Sequence, residues 1–283
     1  IIVKQAVDGT TEALKTALDS ILFNWLTMAT SSTGDQEAIV AYTQNRNKTR
    51  KGKKVKALVY NVATADDIQI VRFTTEKAVM DKTEVAGWKL LARIAGVLAG
   101  LPMTRSATYY ELADIQSVTE PKDMDKEVDD GNLFLFNDEG VVRIARAVNS
   151  LTTTGTTYTE DMKSIAIVEA MNLMEEDIYT TFKNDYLGKY KNSYDNQSLF
   201  IAAVNGYFKD LSKEEILDPN YSNLAGVDVE AQRNAWLAAG KPEASEWDEL
   251  TVKKNTFKRK VFLAGNVKIL NAMEDLFFPI TMM

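Results

Sequence analysis

The stretch VFLAGNVKILNAMEDLFFPITM, residues 261–282, closes the chain and predicts how its C-terminal part is built. Apolar side chains fall on alternate positions in two successive runs, which is typical of strands with one buried face. Pro279 in the second run has no N–H to donate, which places that strand at the edge of a sheet. The alternating residues are Val261, Leu263, Val267 and Ile269 in the first run, and Leu276, Phe278, Ile280 and Met282 in the second. Another chain can add to an apolar edge strand, so these eight residues are our candidate inter-subunit strand positions.

Residues 1–110 predict an α/β domain. The runs KVKALVYNV (residues 54–62) and IQIVRF (residues 68–73) are strand candidates. Helix-like segments at about 36–47 and 82–99 alternate with them, and Gly100 and Pro102 follow the second as stop signals. Strands alternating with helices of this length favour an α/β layer with at least partly parallel pairing.

Residues 111–283 predict an α+β C-terminal domain. An acidic segment at 111–130 marks the crossing into it, and a hairpin follows with its turn at 137–140. Apolar stripes at spacings of three and four predict helices at about 160–187, 197–211 and 228–239. We expect these helices to pack on a mixed or antiparallel sheet that ends in a terminal strand pair.

The composition removes most catalytic chemistry. The chain of 283 residues contains no cysteine and no histidine, so thiolate nucleophiles, His-based triads and the usual zinc sites are excluded. Carboxylate or lysine chemistry stays possible in principle, but no residue pattern indicates it. We therefore expect no catalytic residues, no cofactor and no metal site. The apolar stretch 85–101 is too short and too charged to span a membrane, so no membrane partner is expected.

The most conspicuous charge run is NRNKTRKGKKVK, residues 45–56, which holds seven basic side chains and no acid. These are Arg46, Lys48, Arg50, Lys51, Lys53, Lys54 and Lys56. Such a density suits phosphate binding, so a nucleic-acid-binding module is an alternative interpretation. We favour a solvated loop or a patch that contacts protein, because the aromatic residues or recognition helix of a nucleic-acid reader are missing.

The two parts of the chain carry opposite charge. Residues 1–110 hold 15 Lys and Arg against 10 Asp and Glu (+5), and the remaining residues hold 18 against 30 (−12), which together give the net charge of −7. Chance and solvated faces alone can produce such an imbalance. The functional interpretation is that the basic part of one copy meets the acidic part of another.

Four segments, in this order, resemble the tail sheath proteins of contractile bacteriophages and phage-like particles, particularly those of Gram-positive hosts. They are AGVLAGLPMTRSATYYEL (95–112), VVRIARAVNSLTT (141–153), EDMKSIAIVEAMNLMEEDIYTTFKNDYLGKYKNSYDNQSLF (160–200) and VFLAGNVKILNAMEDLFFPITM (261–282). The likeness runs over nearly the whole chain.

The resemblance implies a structural protein and no enzyme. Sheath subunits polymerise into a helical sleeve around the tail tube and contract to drive the tube through the host envelope. Their partners are further copies, the tube protein, the baseplate and the tail terminator, and their place is the virion tail, assembled in the host cytoplasm. Extended arms add strands to the C-terminal sheet of neighbouring copies, and the run from Lys260 to Met282 would supply both the sheet and the linking strand. Helices of the same domain would face the tube.

The chain departs from the family pattern at its front. Sheath proteins of this kind begin with an arm and further domains before the point that corresponds to Ile1. The resemblance therefore implies that one arm is absent, and that this piece alone is monomeric or weakly associating.

Overall fold

The computed structural model of the protein describes residues 11–50, 52–63 and 65–282. Its α-helices are α1 (Thr11–Asp19), α2 (Thr33–Thr49), α3 (Leu91–Gly100), α4 (Met124–Asp129), α5 (Ile165–Thr181), α6 (Tyr194–Lys213), α7 (Val229–Ala238) and α8 (Glu249–Lys254). Its strands are β1 (Trp25–Thr27), β2 (Lys56–Tyr60), β3 (Ile70–Phe73), β4 (Lys77–Met80), β5 (Thr83–Ala86), β6 (Ser117–Val118), β7 (Asn132–Leu133), β8 (Leu135–Asp138), β9 (Val141–Ile144), β10 (Leu224–Val227) and β11 (Leu263–Asn266).

The described residues form two compact units. Unit 1 takes the chain up to residue 173 together with residues 271–282, and unit 2 takes residues 174–270. This division does not follow the sequence-based boundary near residue 111. The reason is strand pairing: β7, from beyond that boundary, joins β3 in one sheet, and β6 joins β4 in another.

A parallel sheet lies in unit 1. Its strand order is β1-β2-β3-β7, and each neighbouring pair is parallel. Nearly every residue of β2 and β3 is buried, as expected for parallel strands that are covered on both faces. The α/β prediction for this part is confirmed.

The predicted helix at 82–99 is wrong in its first half. Residues Thr83–Ala86 instead form β5, which pairs with β4 across a turn at Asp81 and Lys82. Both turn residues have positive φ, 49° and 61°, which is the backbone of a type I′ hairpin turn. A single 3₁₀ turn, Gly87–Leu90, follows, and the α-helix begins only at Leu91.

The hairpin predicted around 137–140 is present as β8 and β9. Glu139 and Gly140 occupy its turn with φ of 51° and 93°. The turn is therefore again type I′, and its second position is the glycine that this conformation prefers.

Unit 2 combines helices with a small antiparallel sheet of β10 and β11. The predicted helices 197–211 and 228–239 are present as α6 and α7. The long predicted helix 160–187 is α-helical only from Ile165 to Thr181, and a π-helical turn, Phe182–Tyr186, closes it. The fold is thus α/β followed by α+β, but β11 pairs with β10 and not with a second terminal strand.

Candidate inter-subunit interface

The first run of the predicted terminal strand pair forms β11, which pairs with β10. Leu224 pairs with Asn266 and Val227 with Leu263. Backbone bonds continue beyond the ladder, because Asp218 N–H donates to the Lys268 carbonyl at 2.8 Å and Leu270 N–H to the Ile216 carbonyl at 3.0 Å. The segment 263–270 is therefore bonded into unit 2 along one of its two edges.

The bonds of this segment follow a strict alternation. Phe262 accepts from Asp228 N–H at 3.0 Å, and Lys268 N–H donates to Asn223 Oδ1 at 2.9 Å. In an antiparallel ladder the backbone groups of successive residues point to opposite edges. The even-numbered residues thus bond inside unit 2, and the odd-numbered Leu263, Gly265 and Val267 turn their N–H and C=O groups to the other edge. No described residue bonds to that outer edge.

The outer edge of β10 is occupied by a side chain. Asn205 on α6 accepts from Ala225 N–H at 2.7 Å through Oδ1 and donates to the Ala225 carbonyl at 3.2 Å through Nδ2. The amide therefore bonds to both backbone groups of Ala225, as a neighbouring strand would. The amphipathic pattern of α6 explains its placement, because Phe200, Val204 and Phe208 are buried on the same helix.

Residues 276–282, here called the tail segment, do not form the predicted second strand. They pair with no described strand, and their large side chains are exposed. The exposed fractions are 88% for Leu276, 90% for Phe277, 73% for Phe278, 81% for Ile280 and 95% for Met282. The alternation is present in the sequence, but a strand needs a partner for its backbone groups, and within the described residues the tail segment has none.

Residues 271–275, the tail root, are held by unit 1. Arg146 Nε donates to Glu274 Oε2 at 3.1 Å, and its Nη2 donates to Asp275. Glu274 also accepts from Thr108 Oγ1 at 2.9 Å. The hydrogen bond to Asp275, together with that to Glu274, raises the pKa of the Arg146 guanidinium. The tail is therefore fixed at its root and unpaired beyond it.

Two members of the predicted basic patch belong to the interior of unit 1. Arg46 is 4% exposed, donates to the carbonyls of Leu18 and Ile21, and lies 4.5 Å from the ring centroid of Phe23. Lys56 is 2% exposed and pairs with Glu169 at 2.8 Å. These two residues are not available for contact with another protein. A buried charge needs nearby hydrogen-bonding or oppositely charged groups, and both residues already use such groups within unit 1.

The other members of the patch have a different placement. Lys48 is exposed, and Arg50 donates to the Asp19 carbonyl at 2.8 Å. Lys53 and Lys54 are half-buried, and Lys51 lies outside the described residues. Their contact with another protein stays a prediction.

A polar cavity of about 940 Å³ opens in unit 1 beside the carboxyl ends of β2 and β3. Its carboxylates are Asp66, Glu76, Glu120, Glu127 and Asp130. Glu127 accepts from Asn132 Nδ2 at 2.8 Å, and Asp66 accepts from the backbone N–H groups of Thr152 and Thr153. These N–H groups lower the pKa of Asp66 to about 2, whereas a general acid near neutral pH needs a raised pKa. The contacts of these two carboxylates are those of structural groups.

The described residues offer neither a metal site nor a membrane span. They contain no group of three or more acidic side chains that could hold a metal ion. No helix among them is long and apolar enough to cross a membrane.

Comparison with known proteins places these features in a family. A family profile described as the phage tail sheath C-terminal domain matches residues 157–282, which include β10, β11 and the tail segment. The tail sheath protein of the Clostridium phage phiCD119 is 32% identical over 271 residues, which is 95% of this chain and 74% of that protein. The chain belongs to the tail sheath protein family.

Solved structures of sheath proteins share the fold. The crystal structure of a sheath tail protein from Desulfitobacterium hafniense matches with a TM-score of 0.70 and 16% identity over 78% of this chain. One from Listeria innocua matches with a TM-score of 0.67 and 15% identity over 78% of this chain. This sheath-family chain spans about half of each, 54% of their length. The sheath of the anti-feeding prophage in its contracted state matches with a TM-score of 0.67 and 11% identity over 99% of this chain and 76% of that one.

Proposed function

We propose that the chain is a structural subunit of a contractile phage tail sheath. Copies polymerise head to tail into a helical sleeve around the tail tube, and contraction of the sleeve drives the tube into the host envelope. The subunit works without catalytic residues or a cofactor. Membership of the sheath family supports this role, and the contracted sheath of the anti-feeding prophage has the same fold.

One observation supports the proposal: among the described residues, the tail segment and the outer edge of β11 both lack a strand partner, as a strand donor and its acceptor would. The tail segment exposes five large apolar side chains, more than an ordinary surface presents in one place. The outer edge of β11 carries backbone groups with no partner among the described residues. A donor on one copy and an acceptor on the next form a contact between unlike surfaces, which propagates instead of closing as a symmetric dimer does.

The charge distribution supports the same kind of contact. The basic first 110 residues and the acidic remainder favour a head-to-tail arrangement, in which unlike charges face each other. A symmetric dimer would bring like surfaces together. The basic run 45–56 gives weaker support to nucleic-acid binding, because Arg46 and Lys56 are buried and paired.

The partners follow from the proposed sleeve. They are other copies, the tail tube protein, the baseplate and the tail terminator, and the sleeve belongs to the virion tail after assembly in the host cytoplasm. Contraction then derives its free energy from rearranged contacts between subunits, with no chemical step.

Electron microscopy tests the proposal most directly. We would compare the full-length sheath protein with a version ending at Asn271, and with a version whose tail segment is replaced by a Gly-Ser sequence of equal length. Sleeves from the parent and dispersed, folded subunits from both variants are expected. Sleeves of normal length from the truncated protein would contradict the proposal that the tail links copies.

A further inference from the structure

The two edges of the β10–β11 sheet are not equivalent. Which of them accepts a tail segment is a question that rests on the proposed function and goes beyond it. β10 has two residues whose backbone groups point outward, Ala225 and Val227, by the alternation of the ladder. Asn205 bonds to both groups of Ala225. The acceptor positions of β11, at Leu263, Gly265 and Val267, have no such side chain among the described residues.

We infer that Asn205 blocks the β10 edge, so that the tail segment of a second copy adds only to the outer edge of β11. A strand that added at β10 would have to displace both hydrogen bonds of the Asn205 amide and would gain pairing at Val227 alone. A strand that adds at β11 meets at least three residues with available groups. Each backbone hydrogen bond adds to the free energy of association, so the edge with more available groups is favoured.

The proline in the tail segment fixes which tail residues pair. Pro279 has no N–H. A ladder bond is therefore lost unless the odd-numbered tail residues direct their backbone groups away from β11. The even-numbered residues Leu276, Phe278, Ile280 and Met282 then bond to β11. We take the added strand as antiparallel to β11, so that these even-numbered residues lie opposite the odd-numbered residues of β11. Residues directly opposite each other in an antiparallel ladder have their side chains on the same face.

The packing of Gly265 supports the same pairing independently. A Cβ on Gly265 would lie 3.5 Å from Phe208 Cε2, so the odd-numbered residues of β11 face helix α6. Pairing through the even-numbered tail residues places their four large apolar side chains on this face. The choice of residues that avoids the missing N–H of Pro279 is thus also the one that directs the apolar side chains toward α6.

The tail segment of the same copy is the other occupant to consider. Its root is bonded to Arg146 and Thr108 of unit 1, and the segment beyond the root pairs with no described strand. Addition to a second copy keeps the root bonds and uses the part of the tail that pairs with no described strand. Disulfide trapping between distinguishable copies separates the two cases.

The sequence is well suited to this experiment, because it contains no cysteine. Asn266 of β11 and Leu224 of β10 are cross-strand partners on the face away from α6, one at each edge. One full-length sheath protein would carry Thr281→Cys in the tail and a size tag. It would be mixed with an untagged protein carrying Asn266→Cys or Ala264→Cys at β11, or Leu224→Cys at β10. Mild oxidation of the assembled sleeves and gel electrophoresis would then show which pairs form.

We expect disulfides from at least one β11 position, at a yield about tenfold or more above that from Leu224. Replacing Asn205 by Ala should raise the Leu224 yield severalfold, and Asn205→Asp, which keeps only the acceptor, should lie between. Thermal unfolding of the Asn205 variants confirms that they are folded.

The outcomes distinguish the two proposals. Equal trapping at Leu224 and Asn266 with Asn205 intact would overturn the inference about the edge and leave tail linkage standing. Sleeves that form with no intermolecular disulfide at any position would overturn tail linkage itself. A disulfide that forms only when both cysteines are on one chain would show that each tail adds to its own β11.

Discussion

β11 and the tail segment carry the same alternation of apolar residues, yet one is a paired strand and the other is not. β11 has β10 beside it within unit 2 and a chain of internal bonds that continues to Leu270. The tail segment has exposed side chains and no described strand beside it. The comparison teaches that a period-2 pattern reports which face of a strand is to be buried, but not whether the partner lies in the same chain.

The largest expected effect comes from charging the tail segment. We expect Phe278→Asp combined with Ile280→Asp to abolish sleeve formation by the full-length protein. Burying each of these side chains contributes about 1.5–3 kcal/mol, so losing both weakens each contact by a factor of hundreds or more. Sedimentation gives the polymerised fraction.

The same double variant should leave the free energy of unfolding of the separate subunit within about 0.5 kcal/mol of the parent, because both side chains are exposed. A clear fall in the thermal midpoint would mean that the tail segment packs on its own subunit. That result would break the contrast with β11.

The tail root offers the next test, since its side chains are hydrogen-bonded to unit 1 and the tail segment pairs with no described strand. Arg146→Ala removes the bonds to Glu274 and Asp275. We expect hydrogen exchange at residues 271–275 to become roughly fivefold faster, since the partly exposed pair contributes about 1 kcal/mol.

Lys213→Ala is the matched control for this change. It breaks an exposed pair with Asp210 inside α6, and it should alter neither the exchange at the tail root nor the overall stability measurably. Unchanged exchange in Arg146→Ala would show that the bonds from Thr108 to Glu274 and from Ser164 to Asn271 hold the root without the arginine.

A local hairpin provides a contrast with strands that need a distant partner. Gly140→Ala forces a side chain into φ of 93° at the β8–β9 turn, and we expect a loss of about 1 kcal/mol in the free energy of unfolding. Gly155→Ala is the control, because a Cβ there meets nothing within 4 Å and its φ lies outside the left-handed region. Denaturant titration of both variants measures the difference, and equal stability would contradict the assignment of a type I′ turn.

The smallest expected effect is on the stability of the Thr-rich loop that begins at Thr152. This loop is exposed like the tail segment, but the carboxylate of Asp66 accepts hydrogen bonds from its backbone. The pKa of Asp66 is lowered to about 2 from an ordinary value of 3.8 by the N–H groups of Thr152 and Thr153. A lowered folded-state pKa gives stability that is present above about pH 4 and is lost as the pH falls toward 2. Asp66→Asn should remove this part of the pH dependence, measured as exchange at residues 152–153 between pH 2 and 6. An identical pH profile in the variant would exclude Asp66 as its source.

Much of the fold follows from local pattern. The alternation of strands with helices predicts the parallel pairing of β2 and β3, and the turn residues predict the β8–β9 hairpin. Short strands were harder to predict. Thr83–Ala86 pairs with β4, a contact that helical periodicity does not show, and β7 is only two residues long and closely follows the acidic segment.

The residues of the candidate interface were predictable to a similar degree. The alternation around β11 was correctly assigned to a strand, but its partner β10 was not identified. A charge run does not reveal that Arg46 and Lys56 have partners far along the chain at Leu18 and Glu169. Asn205 gave no sequence signal, because an asparagine in the middle of a helix is usually only a weak helix former.

The blocked edge of β10 has a consequence for any series of linked copies, whatever its length. Each subunit then has one donor and one acceptor, so the series has a direction. One terminal copy has an unfilled β11, and the opposite terminal copy has an unengaged tail segment. The two ends therefore differ chemically, and a protein that recognises one of them has no complementary surface for the other.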